Sequence, residues 1–280
     1  MPPVISCLTT SYGRHGADAC IASVRDAGLE QIELLIRTDG YVSRYGDLPL
    51  VTHTSSLADL DRIDRLLERH RVRVASCNVI SGNPLDPAVV PIVERKIELA
   101  SHFGVKLVVA EAGAVADDSQ RETLYARLRR IGDFAAARGI TVCFETHPGV
   151  CGTHREMLRL MRDLDHPHLR LNFDTANLLF YNADFNTTVE VALAKVCHLV
   201  KHVHLKDHTG EAGRRYFPAL GCGGAVDFLR VYQILRDCAF PGPYSLEIAG
   251  IEGESDLSLA DQQRRVVESV EYLRMLGYFE

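Results

Sequence analysis

Lys201-His202-Val203-His204-Leu205-Lys206-Asp207-His208 is a short run that places three histidines, two lysines and an aspartate within an otherwise strand-like sequence. Because side chains alternate between the two faces of a β-strand, His202, His204 and Lys206 share one face, and the apolar residues between them share the other. The apolar face predicts packing against a core. The polar face predicts a functional site.

Short apolar runs on both sides of this segment alternate with longer amphipathic stretches, a pattern typical of repeated βα units and a parallel sheet. Eight units in 280 residues predict an α/β fold with one domain over residues 1–280, a single (β/α)8 TIM barrel, for which about 250 residues is typical. The alternative is an open doubly wound sheet, but no GxGxxG motif follows the first run. The predicted strands are 4–8, 32–36, 72–79, 105–110, 140–145, 169–174, 202–206 and 244–248.

Composition narrows the class of protein. A net charge of −6 argues against a protein that binds nucleic acid by neutralising phosphates. Eight cysteines without a CxxC pair are typical of reduced intracellular thiols rather than a disulfide framework. No signal-like run follows Met1, and no apolar window reaches the length of a membrane span. We therefore expect a soluble cytoplasmic protein without nucleic-acid or membrane partners, and a homo-oligomer is left open.

Acidic or histidine side chains close the last four predicted strands: Glu145, Asp174, His204 and Glu247. In a (β/α)8 barrel the active site forms at the C-terminal ends of the strands, and the alternation of side chains turns all four residues inward. Each residue alone has another explanation, as a helix cap or an ion-pair partner. Together they form an oxygen and nitrogen set that suits Mn²⁺, Mg²⁺ or Co²⁺, and they predict one metal site.

Four motifs carry a resemblance to a known family: Phe144-Glu145-Thr146-His147, Asn172-Phe173-Asp174-Thr175-Ala176-Asn177, His202-Val203-His204-Leu205-Lys206-Asp207, and Gly242-Pro243-Tyr244-Ser245-Leu246-Glu247. The same resemblance extends to the turn Leu220-Gly221-Cys222-Gly223-Gly224-Ala225-Val226-Asp227-Phe228. The chain resembles the xylose isomerase-like TIM barrel superfamily over nearly its whole length. Within it, the sugar phosphate isomerase/epimerase family, with D-tagatose 3-epimerase-like enzymes and inosose dehydratases, is the most similar.

The resemblance implies that Glu145, Asp174, His204 and Glu247 bind one divalent ion, with Mn²⁺ expected first and Mg²⁺, Co²⁺ or Zn²⁺ as alternatives. It also implies that Glu145 and Glu247 are catalytic, flank the substrate carbon and move its proton. The implied activity is a sugar, sugar phosphate or keto-inositol isomerase or epimerase that works through an enediolate stabilised by the metal. Loss of a β-hydroxyl from the same site would instead make the enzyme a keto-polyol dehydratase.

Two positions depart from the epimerase pattern. Epimerases commonly have a histidine three residues after the metal aspartate, where this chain has Asn177. They also tend to have an arginine six residues after the metal histidine, where this chain has Gly210, with Arg214 and Arg215 nearby as substitutes. Both departures weaken the assignment to a ketose 3-epimerase.

Residues at or just beyond the strand ends are expected to contact a small sugar or polyol substrate. They are Asn78, Glu111, His147, Asn177, Lys206, His208 and Arg214. Arg37 closes the second strand and either binds an anionic group or lies in solvent. Glu33 lies in the middle of a strand and needs a partner if it points inward. His202 is interpreted as a hydrogen-bonded core residue rather than a ligand.

Two other classes of protein share the predicted fold. Metal-dependent apurinic endonucleases of the same superfamily use additional histidines to hold three zinc ions. This chain has Asn78, Glu111 and Asn177 at such positions, and no histidine in residues 217–219. A non-catalytic sugar-binding barrel would lose one of the four metal residues, and all four are present. Both alternatives are therefore disfavoured.

Overall fold

A computed structural model describes residues 3–43, 46–182, 187–240, 242–254 and 256–280. Its strands are β1 Ile5–Leu8, β2 Gln31–Leu35, β3 Arg73–Asn78, β4 Leu107–Ala110, β5 Thr141–Glu145, β6 Leu169–Asp174, β7 Val200–Leu205, β8 Tyr216–Phe217, β9 Tyr244–Leu246 and β10 Gly250–Ile251. All except β8 and β10 form a closed barrel in chain order, and every pairing in it is parallel. This confirms the predicted (β/α)8 TIM barrel and excludes the open sheet.

Helices follow the barrel strands: α1 Gly16–Ser23, α2 Leu57–His70, α3 Val89–His102, α4 Arg121–Ala136, α5 His154–Leu164, α6 Asn177–Tyr181, α7 Val189–Val196, α8 Phe228–Asp237 and α9 Leu259–Met275. Their apolar stripes explain the packing: in α2 the buried residues are Leu60, Ile63 and Leu67, which lie on one helical face. None of the helices in the described ranges is both long and apolar enough to cross a bilayer.

The first turn of α5 is capped by the side chain of Thr153. The Thr153 hydroxyl accepts a hydrogen bond from the backbone N–H of Glu156, which satisfies one of the free donors of the first turn. The Glu156 carboxylate does not return to the cap but lies 3.5 Å from Nη1 of Arg121 on α4. A nearby guanidinium attracts the carboxylate more strongly than a neutral backbone N–H does.

The last barrel strand ends earlier than predicted. The sequence predicts a strand through Ile248, whereas β9 ends at Leu246. Ser11, in the turn after β1, accounts for this end, because its hydroxyl donates to the carbonyl of Leu246 and accepts the N–H of Ile248. The N–H of Glu247 still bonds the carbonyl of Leu205 in β7, so the position of Glu247 at the strand end is fixed from both sides.

The cysteines follow the prediction only in part. Cys7, Cys77 and Cys143 are fully buried, and Cys7 and Cys77 belong to the apolar core, as expected for small core residues. The expectation that all cysteines are reduced is wrong for Cys197 and Cys238, which form a disulfide. They follow α7 and α8, which pack side by side, and their Cα atoms are 6.3 Å apart despite a separation of 41 residues. The linear sequence does not show this proximity.

Candidate metal centre

The barrel brings four of the predicted residues to one place. Ligand atoms of Glu145, Asp174, His204 and Glu247 all lie within 4.8 Å of one another; we call this group the metal quartet. Nδ1 of His204 is 3.2 Å from Oε2 of Glu247, 3.5 Å from Oε1 of Glu145 and 3.9 Å from Oδ2 of Asp174. Each residue comes from a different strand end, so the barrel frame sets their spacing.

A buried carboxylate behind His204 fixes the direction of its ring. Oε2 and Oε1 of Glu33 lie 2.9 and 3.1 Å from Nε2 of His204, and both side chains are fully buried. Burial would raise the pKa of Glu33, but the charge of His204 and its hydrogen bond to the carboxylate outweigh burial and lower this pKa to about 2. The ionised Glu33 accepts a hydrogen bond from the Nε2–H of His204, which leaves Nδ1 directed at the other three members of the quartet.

The neighbouring His202 is a core residue, as predicted. Its Nδ1 lies 2.9 Å from Oδ1 of Asn172, and its Nε2 lies 2.9 Å from the hydroxyl of Ser76. Burial lowers the pKa of His202 to about 4, against the attraction of Glu33. Both ring nitrogens of His202 thus have hydrogen-bond partners. Its ring also lies with Glu33 and His204 in a second buried group whose ligand atoms are within 4.8 Å of one another.

The carboxylates of Asp174 and Glu247 each have one oxygen that accepts hydrogen bonds from the protein and one that faces the other members of the quartet. Oδ1 of Asp174 accepts the N–H groups of Ala176 and Asn177, both at 2.8 Å, while its Oδ2 is buried without a hydrogen-bond partner. Oε1 of Glu247 accepts a hydrogen bond of 2.6 Å from Nζ of Lys206, and its Oε2 faces His204. Buried polar atoms in native structures nearly always have a hydrogen-bond partner or a bound ion, so Oδ2 of Asp174 is expected to contact one.

The charge of the site also suits a divalent cation. Burial raises the pKa of Asp174 to about 6; Lys206 opposes this rise, while Glu247 and Glu145 add to it. The site offers three carboxylates, one of which has an oxygen without a hydrogen bond, and one directed imidazole nitrogen. This electron-rich set of oxygen and nitrogen donors fits Mn²⁺, Mg²⁺ or Co²⁺ and lacks the thiolates of soft-metal sites. The residues present therefore fit a single divalent ion.

A cavity of about 510 Å³ opens beside the quartet; we call it the substrate cavity. Its volume is in the range of about 300–1,000 Å³ that is usual for small-molecule sites. Glu145 and Glu247 of the quartet reach it, and so do five of the residues singled out from sequence: Arg37, Asn78, Glu111, His147 and Lys206.

Asn177 lies below this cavity and connects two of its charged residues. Its Nδ2 donates to Oε1 of Glu145 at 3.1 Å, and its Oδ1 accepts from Nζ of Lys206 at 3.3 Å. The side chain is almost fully buried. The amide found where epimerases have a histidine thus orients a carboxylate and an ammonium group that face the cavity.

The structure does not bring His208 and Arg214 to the substrate cavity. Nδ1 of His208 accepts the N–H of Gly210, so its Nε2 donates to the carbonyl of Arg214 at 2.8 Å. The Arg214 guanidinium is exposed and pairs with Glu211. Arg215, the other candidate, lines a separate cavity of about 440 Å³. The segment after β7 folds back toward the β8–β10 pair, which a strand-end argument does not predict.

Several residues of the cavity were not found from sequence or lacked an assigned partner. Arg37 forms a buried ion pair of 2.7 Å with Asp47 and still lines the cavity. Tyr181 also lines it, with its ring 5.6 Å from that of His147 in an edge-to-face arrangement. Tyr181 follows no strand directly, so nothing in the strand-end pattern indicated it.

The contact between Glu33 and His204 leads to a testable expectation about metal affinity. We expect Glu33→Gln to weaken binding of Mn²⁺ by about 10–100-fold, the usual cost of removing a residue that orients a metal-bound histidine. Isothermal titration of the metal-free protein measures this. Glu30→Gln is the matched control, because Glu30 precedes the same strand and pairs with surface arginines. Equal affinity in the two variants would rule out the orienting role.

Comparisons with known proteins agree with this geometry. An inosose dehydratase of Clostridium perfringens is 27% identical over 250 residues, 77% of this chain and 81% of that protein. Two further inosose dehydratases, from Geobacillus thermodenitrificans and Clostridium botulinum, match over about half of their length, 51%.

Solved structures show the same fold. A Xylose isomerase-like TIM barrel protein from Mycobacterium smegmatis, in complex with magnesium, superposes with a TM-score of 0.75 at 19% identity, over 99% of this chain and 96% of that one. The sequence profile of the family described as "Xylose isomerase-like TIM barrel" matches residues 21–276. The chain therefore belongs to the xylose isomerase-like TIM barrel family.

Proposed function

We propose that this protein is a metal-dependent enzyme that removes a proton from the carbon next to the carbonyl of a small keto-polyol or sugar. The observation that carries the proposal is the position of Glu145 and Glu247: both belong to the metal quartet, and both line the substrate cavity. Abstraction of such a proton needs a positioned carboxylate base and stabilisation of the negative charge that develops on the oxygen. The site offers both.

A divalent ion in the quartet would supply Lewis acidity at the carbonyl oxygen, worth several kcal/mol. The chain's own residues supply the proton transfer. One of the two glutamates takes the proton from the substrate carbon. Lys206 is paired with Glu247 and lies 3.7 Å from Asp174, so its ammonium group offsets the negative charge of these carboxylates. Asn177 holds Glu145 in place through its amide. The burial of these groups strengthens each interaction relative to water.

Among the outcomes of this step, we favour loss of water. One glutamate takes the proton from the carbon next to the carbonyl, and a protonated glutamate of the pair Glu145 and Glu247 gives a proton to the β-hydroxyl. The bond from carbon to this hydroxyl breaks, the hydroxyl departs as water, and a carbon–carbon double bond forms between the two carbons. The curated relatives support this outcome, since they are inosose dehydratases. Isomerase or epimerase activity is the second candidate, because two carboxylates of the quartet face one cavity and one can return the proton that the other removed.

The test follows the substrate carbon directly. The protein, loaded in turn with Mn²⁺, Mg²⁺, Co²⁺ and Zn²⁺, is incubated with keto-inositols and ketoses in D2O, and products are followed by NMR. Dehydration is expected as an unsaturated or rearranged product that has lost water. Exchange at C3 without loss of water would indicate an epimerase, and exchange at C1 or C2 an isomerase. The proposal would be refuted if the protein catalysed neither proton exchange nor elimination of water with any of the metals.

A further inference from the structure

Lys96 is a buried charged residue without a role in the reaction described above. It lies on α3 with its side chain fully buried, among the largest such side chains of the described residues. Its Nζ donates a hydrogen bond of 2.7 Å to the backbone carbonyl of Ile80. A buried ammonium group is costly, and burial lowers the pKa of Lys96 to about 7, against the attraction of Glu111. Burial of a leucine or methionine side chain at this position of the helix would cost less free energy than burial of an ammonium group.

The residue that Lys96 holds belongs to the wall of the substrate cavity. Residues 80–82 follow β3 and line that cavity. Two hydrogen bonds fix this loop: Oδ1 of Asn78 accepts the N–H of Ile80 at 3.2 Å, and Nζ of Lys96 donates to the Ile80 carbonyl. The Glu111 carboxylate faces the N–H of Gly82. Asn78 and Glu111 also line the cavity, so the loop and its two polar anchors form one surface.

Glu111 links this surface to the catalytic side of the cavity. Oε1 of Glu111 is 3.5 Å from Nδ1 of His147, and Nε2 of His147 is 3.7 Å from Oε1 of Glu145. Burial raises the pKa of Glu111, and the positive charges of His147 and Lys96 oppose that rise. The carboxylate oxygens of Glu111, beside a loop that carries Ser81, are suited to accept hydrogen bonds from substrate hydroxyls.

We propose that Lys96 is a positioning residue for substrate binding: from behind the cavity wall it fixes the 80–82 loop and supports the Glu111 carboxylate, which together hold hydroxyls of the polyol. The inference rests on the proposed function for the identity of the ligand as a polyol. It assigns binding, rather than chemistry, to this side of the cavity. Lys96 itself does not touch the substrate, because its side chain is fully buried.

The test compares Lys96→Met with Lys195→Met, the same change at an exposed position of α7. We expect Lys96→Met to weaken binding of myo-inositol to the Mn²⁺-loaded protein by roughly tenfold, the size of one lost hydrogen bond to a charged group. Where turnover is measurable, KM rises and kcat changes little. Mn²⁺ affinity stays at the wild-type value in both variants, since the quartet is not altered. A purely structural role would lower Tm and leave substrate binding unchanged.

Hydrogen exchange gives a readout that does not depend on the proposed reaction. The Gly82 amide is expected to exchange faster in Lys96→Met and at the wild-type rate in Lys195→Met. If Lys96→Met does not fold, Lys96→Gln, which keeps a donor but removes the charge, takes its place and is expected to weaken myo-inositol binding less. Wild-type protection of Gly82 in the folded Lys96 variant would overturn the inference. If the wild-type protein turns over none of the substrates, but exchange of the Gly82 amide is altered in the Lys96 variant, only the proposed function is refuted.

Discussion

Glu145→Gln and Glu247→Gln are each expected to lower kcat by about 10²–10⁴-fold, the usual contribution of a positioned acid or base. Glutamine keeps the size of the side chain and one oxygen atom, but it cannot take up a proton at neutral pH. Both glutamates face the substrate cavity, and Oε1 of each is already held, by Asn177 for Glu145 and by Lys206 for Glu247. The substitutions therefore remove charge with little change in position.

Steady-state kinetics and exchange in D2O together separate the roles of the two residues. The variant that lacks the base is expected to lose exchange of the substrate proton, whereas the variant that lacks the second group retains exchange and forms no product. Glu271→Gln, on the exposed face of α9, is the matched control and is expected to keep wild-type kcat. The metal content of each variant is measured in parallel, because both residues belong to the quartet. Wild-type kcat in either metal-loaded variant would contradict the assignment.

The quartet itself was predictable from sequence because two simple rules apply to it. Side chains alternate along a strand, and a (β/α)8 barrel gathers its strand ends on one face. Glu145, Asp174 and His204 occupy the last inward positions of β5, β6 and β7, and Glu247 follows β9 directly. Parity and proximity to the strand end are local properties, so the four residues could be found without knowledge of the three-dimensional structure.

Contacts between distant segments could not be predicted in the same way. Glu33 and His204 are 171 residues apart, and their pairing depends on the width of the barrel rather than on any local pattern. His208 and Arg214 failed to reach the cavity because the segment between β7 and β8 turns away and closes on itself. Lys96 lies within a helix whose sequence does not show which loop its ammonium group meets. Loops and cross-barrel pairs are set by tertiary packing, which the linear pattern does not specify.

Removal of divalent ions is the second change with a large expected effect. A chelator is expected to abolish activity, and Mn²⁺, Mg²⁺, Co²⁺ or Zn²⁺ is expected to restore it. The metal-free site keeps three carboxylates together and leaves Oδ2 of Asp174 without a hydrogen bond, so the ion is also expected to stabilise the fold. At a free ion concentration about 100 times Kd, this stabilisation is about 2.7 kcal/mol, which corresponds to roughly 5–10 °C in Tm.

The pH dependence of this stabilisation gives an independent check on the ligands. In the metal-free protein the pKa of Asp174 is raised to about 6, and the carboxylates of Glu33 and Glu145 raise the pKa of His204 well above its usual value despite its burial. Ion binding must displace the His204 proton at every pH below the raised pKa of that residue, and the Asp174 proton below about 6. Apparent affinity is therefore expected to fall as pH decreases, and to fall more steeply below about 6. Calorimetric scans with Mn²⁺, and with Na⁺ at equal ionic strength as the control, measure the shift in Tm. A shift in Tm of equal size with Na⁺ would refute the metal site. Protein that retains no metal and is not activated by added ions would refute it as well. Only a specific divalent ion satisfies Asp174, His204 and both glutamates at once.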